Sequence, residues 1–185
     1  VIAVRKRSVE APLVATNDLV KAIEEKFGLF CSPTGELLFE DAKLPATSLL
    51  GKEGEGFKIC MSQLDGTRLS CAARAVGLGE ACLEASVEYA NERKQFGKTI
   101  SSFQAIQWKI ADAYTELEAS RLLLMNAAYK KEQGRSFAKE ASMAKVFATE
   151  AANRACYEAI QILGGYGYTR DFPVERYARD ARITS

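Results

Sequence analysis

The sequence of 185 residues contains no histidine. Without histidine, the chain can form neither a Ser-His or Cys-His nucleophile pair nor an H-E-x-x-H zinc site. Any proton transfer by this chain must therefore use a glutamate, aspartate, lysine or tyrosine side chain, or a group supplied from outside. We predict no metal site.

Several other patterns are also missing. No stretch approaches 18 consecutive apolar residues, and the first residues lack the basic-then-apolar pattern of a secretory signal. The 25 Lys and Arg residues and the 24 Asp and Glu residues are mixed along the whole chain, so no sustained basic face is predicted. The five cysteines show no C-x-x-C spacing, and their odd number suits a reducing compartment. We expect a soluble, intracellular protein with no nucleic-acid partner and no membrane span.

Two regions differ in composition. Residues 1–52 are rich in Val, Thr, Ser and Pro, with short apolar stretches between turn residues, which is typical of strands. Within this region, Asn17 is a candidate N-cap for a short helix running to Lys26. From Gly54 onward Ala, Leu, Glu and Lys dominate, and Pro173 is the only proline. We predict a mainly α fold, in which part of a β domain (1–52) precedes an antiparallel up-down helical bundle (53–185).

Three long helices are predicted in the second region, over Gly56–Arg93, Ser101–Gln133 and Ser136–Leu163. The first is expected to end in a cationic turn capped by Gly97 in the left-handed conformation. Ser101 and Gln104 have the spacing of a capping box at the start of the second. Alanines recur along one face of the third, at Ala141, Ala144, Ala148, Ala151 and Ala155. Such helices, roughly 40 to 55 Å long, suit a bundle that also supplies subunit contacts.

The segment Gln161–Tyr168 ends the third predicted helix on a double glycine. In a purely structural interpretation, Gly164 and Gly165 cap the helix and the tyrosines pack the turn. In a functional interpretation, the bare glycine backbone lies against a planar or phosphorylated cofactor, and Gln161 offers its amide to that group. Both interpretations remain open on the motif alone.

A second ambiguous segment, Asn91–Gly97, follows the first predicted helix. It is either a cationic helix end or a site at which Arg93 is placed to bind a pyrophosphate, with Phe96 beside it. Neither interpretation is favoured by this segment taken by itself.

A third segment, Leu64–Arg68, places Gly66 inside a long helix, where glycine costs roughly 1 kcal/mol relative to alanine. This glycine needs a reason, which is either close helix packing or a ligand. Asp65 and Arg68 are three residues apart, and this spacing alone favours an ion pair on one helix face over ligand contact.

In their order and separation, the motifs of this chain resemble those of the acyl-CoA dehydrogenase family, most closely its short-chain and bacterial members. The resemblance runs from about residue 27 to residue 185. On it, the chain holds the end of the middle β domain and most of the C-terminal helical domain, truncated before its last helix. The motifs are L-D-G-T-R (64–68), E-R-K-Q-F-G-K (92–98), S-F-Q-A-I-Q (102–107), Q-I-L-G-G-Y-G-Y (161–168), F-P-V-E-R (172–176) and R-D-A-R-I-T (179–184).

The resemblance implies flavin chemistry on an acyl-CoA thioester. In that family, a carboxylate removes the α-proton while the β-hydride passes to FAD, which gives the trans-2-enoyl-CoA. Electrons then leave to an electron-transfer flavoprotein. The family resemblance also implies a homodimer or homotetramer, located in the bacterial cytoplasm or the mitochondrial matrix.

Three sets of site residues are implied by the same resemblance. The positions that reach the FAD of a neighbouring subunit are Arg93, Phe96 and Gln104. The segment along the adenosine and pyrophosphate side of FAD comprises Gln161, Ile162, Leu163, Gly164 and Gly165. The acyl-CoA contact segment comprises Asp65, Gly66, Thr67 and Arg68.

No catalytic base is identified in this chain. In most relatives the glutamate follows the R-D-A-R-I-T motif, so we expect it beyond Ser185. A minority carry it at the position of Thr67, and threonine cannot act as that base. The favoured hypothesis is a fragment of a flavin-dependent acyl-CoA dehydrogenase, in agreement with the start at Val1 instead of an initiator methionine. The alternatives are a catalytically silent helical module for binding or scaffolding and a flavin oxidase of the same fold.

Overall fold

The computed structural model divides into two compact units, Val1–Cys60 and Met61–Ser185. Short strands are the main regular structure of the first unit before its helix begins, and helices dominate the second. The mainly α fold predicted from the sequence is therefore confirmed. The structure describes residues 6–7, 20–22, 25–37, 39–40 and 45–185.

Among the described residues of the first unit, four short strands pair two by two. β1 (Lys6–Arg7) is parallel to β4 (Phe39–Glu40), and β2 (Val20–Ala22) is antiparallel to β3 (Gly35–Leu37). The short helix predicted over Asn17–Lys26 is wrong at β2, because strand pairing overrides a weak local helix preference. Its predicted N-cap lies outside the described residues.

The three long helices predicted from the sequence are confirmed as α1 (Gly56–Glu92), α2 (Gln104–Glu132) and α3 (Ala138–Leu163). A shorter helix, α4 (Val174–Arg182), follows. The proline just before α4 suits a helix start, since its missing N–H would have no intrahelical partner there. Within the described residues, no helix has the length and apolar character needed to cross a membrane.

Ion pairs between α2 and α3 show that these helices run antiparallel. Lys130 of the last turn of α2 contacts Glu140 of the first turn of α3, with Nζ and Oε1 2.6 Å apart. Near the other end of the pair, Lys109 contacts Glu158. Ion pairs that remain partly accessible to water contribute little to stability, so the apolar interface between the helices supplies most of it.

The core of the second unit is built mainly from alanines. α1 contributes Ala72 and Ala75, and these pack in one buried cluster with Ala144, Ala148 and Ala152 of α3. The predicted small-residue face of α3 is confirmed, because all five of its alanines are buried. Such short side chains let the helix backbones approach closely while keeping the interior filled.

Gly79 of α1 lies at the closest approach of three helices. A Cβ atom added to this residue would lie 2.5 Å from Leu117 Cδ2 of α2 and 3.3 Å from Ala152 Cα of α3. Two residues earlier, Gly77 is exposed, and a Cβ atom there would meet nothing within 4 Å. Gly79 is therefore required by packing, whereas Gly77 is not.

We predict that Gly79→Ala makes the protein less stable than Gly77→Ala does, by about 1 to 3 kcal/mol in the free energy of unfolding. Both substitutions lie inside α1, so the gain in helix propensity, roughly 1 kcal/mol, cancels in the comparison. Urea denaturation followed by circular dichroism measures the difference. Equal stability of the two variants would show that Leu117 yields without cost.

The capping box predicted at the start of the second long helix is wrong. α2 begins at Gln104 with Phe103 at the N-cap position, and no side chain caps it. Ser101 instead lies in a 3-10 turn formed by residues 100–102, where its hydroxyl group lies 3.0 Å from that of Thr99. The hydroxyl is thus used before the helix starts, and the predicted capping box does not form.

Candidate functional site

The chain after α1 forms a hairpin, which corrects the predicted helix cap. Arg93 is followed by β5 (Lys94–Gln95) and β6 (Lys98–Thr99), which pair antiparallel. Phe96 and Gly97 connect them with φ values of +53° and +80°. A tight hairpin turn of the I′ type takes two residues with positive φ, so Gly97 is needed for this turn and does not cap a helix. Phe96 stands at the tip with 92% of its surface exposed.

The double glycine after α3 leaves the backbone open on one side. Gly164 has φ +61° and ψ −134°, a conformation that essentially only glycine adopts. Its N–H donates to the carbonyl oxygen of Gln161, which ends the helix. A Cβ atom at Gly164 or Gly165 would meet no atom within 4 Å. Gly164 therefore ends the helix as predicted, and the contact of the open backbone with a cofactor stays a prediction.

Gly167 has the opposite environment. It belongs to the 3-10 turn Gly164–Tyr168 that continues from α3. A Cβ atom here would lie 2.5 Å from the carbonyl oxygen and 2.9 Å from the Cα of Ile160. Because both of those atoms belong to the backbone of α3, they cannot move aside easily. Gly167 thus lets the turn fold back against the end of α3.

A cavity of about 430 Å³ lies where the base of the hairpin meets the glycine turn. It brings together Arg93 and four predicted residues of the second cofactor segment, 162–165. Ile162 and Leu163 are buried, with 6% and 2% of their surfaces exposed, and give the cavity an apolar floor. The lining residues are Tyr89, Arg93, Gln95, Ile100, Ile162, Leu163, Gly164, Gly165, Tyr166 and Thr169.

The side chain of Arg93 is available to bind an anion. Among the described residues, no carboxylate lies within ion-pair distance of its guanidinium group. Its protein contact is the ring of Tyr166, whose centroid lies 5.8 Å from Arg93 Cζ. A planar cation beside bare backbone fits a phosphate or pyrophosphate group.

Three predicted cofactor residues do not line this cavity. Phe96 packs edge-to-face on Phe103, with the ring centroids 6.2 Å apart. Gln104 is the exposed first residue of α2, and Gln161 is exposed on the last turn of α3. These side chains can contact a ligand only if it extends beyond the cavity or belongs to another subunit.

The predicted acyl-CoA segment lies on α1, far from the cavity. Asp65 and Arg68 form the ion pair that their spacing favours. Gly66 faces Lys131 of α2, whose Nζ would lie 3.6 Å from an added Cβ atom. Thr67 is exposed, and its hydroxyl donates to a backbone oxygen one turn earlier. At 1.5 Å per residue, Arg68 and Arg93 are about 38 Å apart along α1, so one ligand in one chain cannot contact both.

The residues around the cavity can bind a ligand but include no carboxylate that could act as a base. All of its lining residues belong to the described part of the chain, and none carries a carboxylate. No group of three potential metal-binding side chains occurs among the residues that the structure describes.

Elsewhere in the core, the thiol groups of Cys82 and Cys156 lie 3.2 Å apart. The hydrogen bond with Cys156 and burial raise the pKa of the Cys82 thiol, which stays neutral.

Residues 54–185 match the family model for the C-terminal domain of acyl-CoA dehydrogenases. The chain belongs to the acyl-CoA dehydrogenase family. Enzymes of this family are flavoproteins that depend on FAD. An unpaired guanidinium group, open glycine backbone and an apolar floor fit the pyrophosphate and adenosine side of FAD.

Three similar proteins illustrate the family relationship. The chain is 50% identical to acryloyl-CoA reductase (NADH) of Anaerotignum propionicum over 162 residues. This match covers 88% of this chain and 41% of the relative. It is 49% identical to the solved structure of butyryl-CoA dehydrogenase from Megasphaera elsdenii, with a TM-score of 0.86 over 89% of this chain and 43% of that one. A structure described as an electron transferring flavoprotein of Acidaminococcus fermentans shares 51% identity and a TM-score of 0.87, with coverages of 89% and 43%. The chain thus spans about two fifths of the length of these relatives.

We predict that Gly167→Ala lowers the free energy of unfolding by about 1 to 3 kcal/mol, since the new methyl group would meet the backbone of Ile160. Gly165→Ala is the matched control in the same turn, where the added methyl group enters open space, and we expect a change within about 0.5 kcal/mol. Thermal unfolding of the flavin-free protein compares the two. An equal loss in both variants would contradict the assigned contact.

Proposed function

We propose that this chain forms the FAD-binding part of an acyl-CoA dehydrogenase that converts an acyl-CoA thioester to the trans-2-enoyl-CoA. The observation that supports this proposal most directly is the cavity in which Arg93, without a carboxylate partner among the described residues, stands beside the open backbone of Gly164 and Gly165. FAD, when bound, supplies the acceptor for the β-hydride.

The residues of this chain would bind and orient the cofactor. The Arg93 guanidinium group would donate two parallel hydrogen bonds to the pyrophosphate. Gly164 and Gly165 would let the chain approach without a side chain in between. The buried Ile162 and Leu163 would exclude water from the apolar side of the site, which strengthens the interaction of Arg93 with the anion.

The cofactor is proposed to be shared between subunits of a homodimer or homotetramer. Phe96 at the hairpin tip, Gln104 and Gln161 are all exposed, as residues that reach a neighbouring subunit would be before assembly. The distance of about 38 Å along α1 between Arg68 and Arg93 also supports this arrangement, because the two segments of one chain would then serve two different active sites.

The acyl-CoA contact is proposed for Asp65, Gly66, Thr67 and Arg68. Thr67 is exposed and has no basic group, so it would not remove the α-proton. We assign that step to a glutamate outside these 185 residues. We also propose that the β domain ends at residue 52 and that the helical domain begins at residue 53.

An electron-transfer flavoprotein is the proposed redox partner, supported by the 51% identical chain found in the Acidaminococcus fermentans structure. The Anaerotignum relative is named a reductase that uses NADH, so the direction of the reaction requires measurement. The bacterial cytoplasm or the mitochondrial matrix is the proposed compartment. A catalytically silent binding module is the second candidate, in keeping with a cavity whose lining has no carboxylate.

We predict that Arg93→Ala in the full-length protein weakens FAD binding by roughly 10- to 100-fold, the loss expected for hydrogen bonds to a charged group. Arg93→Lys keeps the charge but loses the paired hydrogen bonds, and we expect an intermediate affinity. Titration of the flavin-free protein with FAD, followed by flavin fluorescence, measures the dissociation constant.

Arg135→Ala is the matched control, because Arg135 is exposed in the α2–α3 connection and its removal changes the net charge equally. Unchanged FAD affinity in Arg93→Ala would contradict the proposed cofactor role. Activity with butyryl-CoA and an artificial electron acceptor then separates the two candidate functions. Bound FAD without any acyl-CoA oxidation would favour the silent module.

A further inference from the structure

Arg93 is held in the cavity by an aromatic ring. Its guanidinium carbon lies 5.8 Å from the centroid of Tyr166, within the range of a cation–π contact. A carboxylate in the same place would neutralise the cation and compete with an incoming anion. An aromatic face attracts the guanidinium group through its quadrupole and leaves the full positive charge for a phosphate.

The ring of Tyr166 is itself fixed by two other rings. Its centroid lies 6.5 Å from that of Tyr89 on α1 and 6.0 Å from that of Phe172, which precedes α4. Tyr89 and Phe172 meet edge-to-face with centroids 5.5 Å apart. Of the surface of Tyr166, 47% is exposed, so these two neighbours cover only part of its side chain and leave room for Arg93.

The backbone of the turn also fixes the position of Tyr166. Immediately after it, Gly167 packs against the backbone of Ile160. The carbonyl oxygen of Tyr166 accepts hydrogen bonds from both the backbone N–H and the hydroxyl group of Thr169, at 3.2 and 3.0 Å. The ring therefore presents a defined surface to the long and otherwise flexible side chain of Arg93.

We propose that Tyr166 is a positioning residue for FAD binding, acting through Arg93. Its ring keeps the guanidinium group at the wall of the cavity, beside the open glycine backbone, before the pyrophosphate arrives. Fewer side-chain conformations of Arg93 are then lost on binding, which raises the affinity. The inference rests on the proposed role of Arg93 and goes beyond it, since it assigns to Tyr166 an effect on FAD affinity that depends on Arg93.

Tyr166→Leu and Tyr166→Phe separate the ring from the hydroxyl group. In the full-length protein we expect Tyr166→Leu to raise the FAD dissociation constant about three- to fivefold, in keeping with a partly exposed cation–π contact. We expect Tyr166→Phe to stay within about twofold of the unsubstituted protein, because the ring face remains. Tyr168→Leu is the matched control in the same turn, where the side chain is 88% exposed, and it should leave the affinity unchanged.

The decisive measurement is the double variant Arg93→Ala/Tyr166→Leu. If Tyr166 acts through Arg93, this variant binds FAD no more weakly than Arg93→Ala alone. If the double variant binds FAD about three- to fivefold more weakly than Arg93→Ala, Tyr166 acts without Arg93. That result would overturn the inference and leave the proposed function intact. Wild-type affinity in Arg93→Ala would instead overturn the proposed function.

The thermal unfolding midpoint of Tyr166→Leu shows whether the substitution also destabilises the fold. If its unfolding midpoint falls, Tyr166→Met replaces it in the same comparison, because methionine is flexible and fills the space without a ring face. Weakened FAD binding that disappears in the Arg93→Ala background supports the inference with either variant. Wild-type FAD affinity in Tyr166→Met would overturn it.

Discussion

The helical unit depends on the short distance between α3 and its neighbours, which residues with little or no side chain make possible. Ala144, Ala148 and Ala152 let α3 pack against α1. Gly79 has no side chain that would clash with Leu117 of α2 and Ala152 of α3. Rigid helices transmit this spacing to their ends. The end of α1 at Arg93 and the glycine turn after α3 are therefore brought to one cavity by contacts made along the whole bundle.

The cavity separates binding from chemistry. It offers a cation, bare backbone and an apolar floor, and its lining in the described part of the chain includes no carboxylate. Negative groups are excluded from the place where a pyrophosphate would bind, so Arg93 does not have to exchange one anion for another. The cavity lining thus supplies groups for binding and no carboxylate base.

The family resemblance, and not a local pattern, selected Arg93 and the double glycine as cofactor positions. Local patterns in the sequence were sufficient to predict the long helices and the alanine face of α3. These features follow from helical periodicity and from single residue types. The hairpin at Phe96 and Gly97 and the contact of Arg93 with Tyr166 were not predicted, because they depend on backbone conformation and on residues about 70 positions apart. Ser101 was misassigned because its hydroxyl group lies beside that of Thr99 in a turn that the capping pattern does not reveal.

The part of α1 from Arg68 to its end at Glu92 limits how this domain can change in length. One residue inserted there would rotate one end of the helix by about 100° relative to the other and shift it by about 1.5 Å. Gly79 and the buried alanines would then leave their partners on α3. Insertions and deletions are consequently expected in the connections, such as residues 133–137, whereas α1 itself can diverge only by substitution.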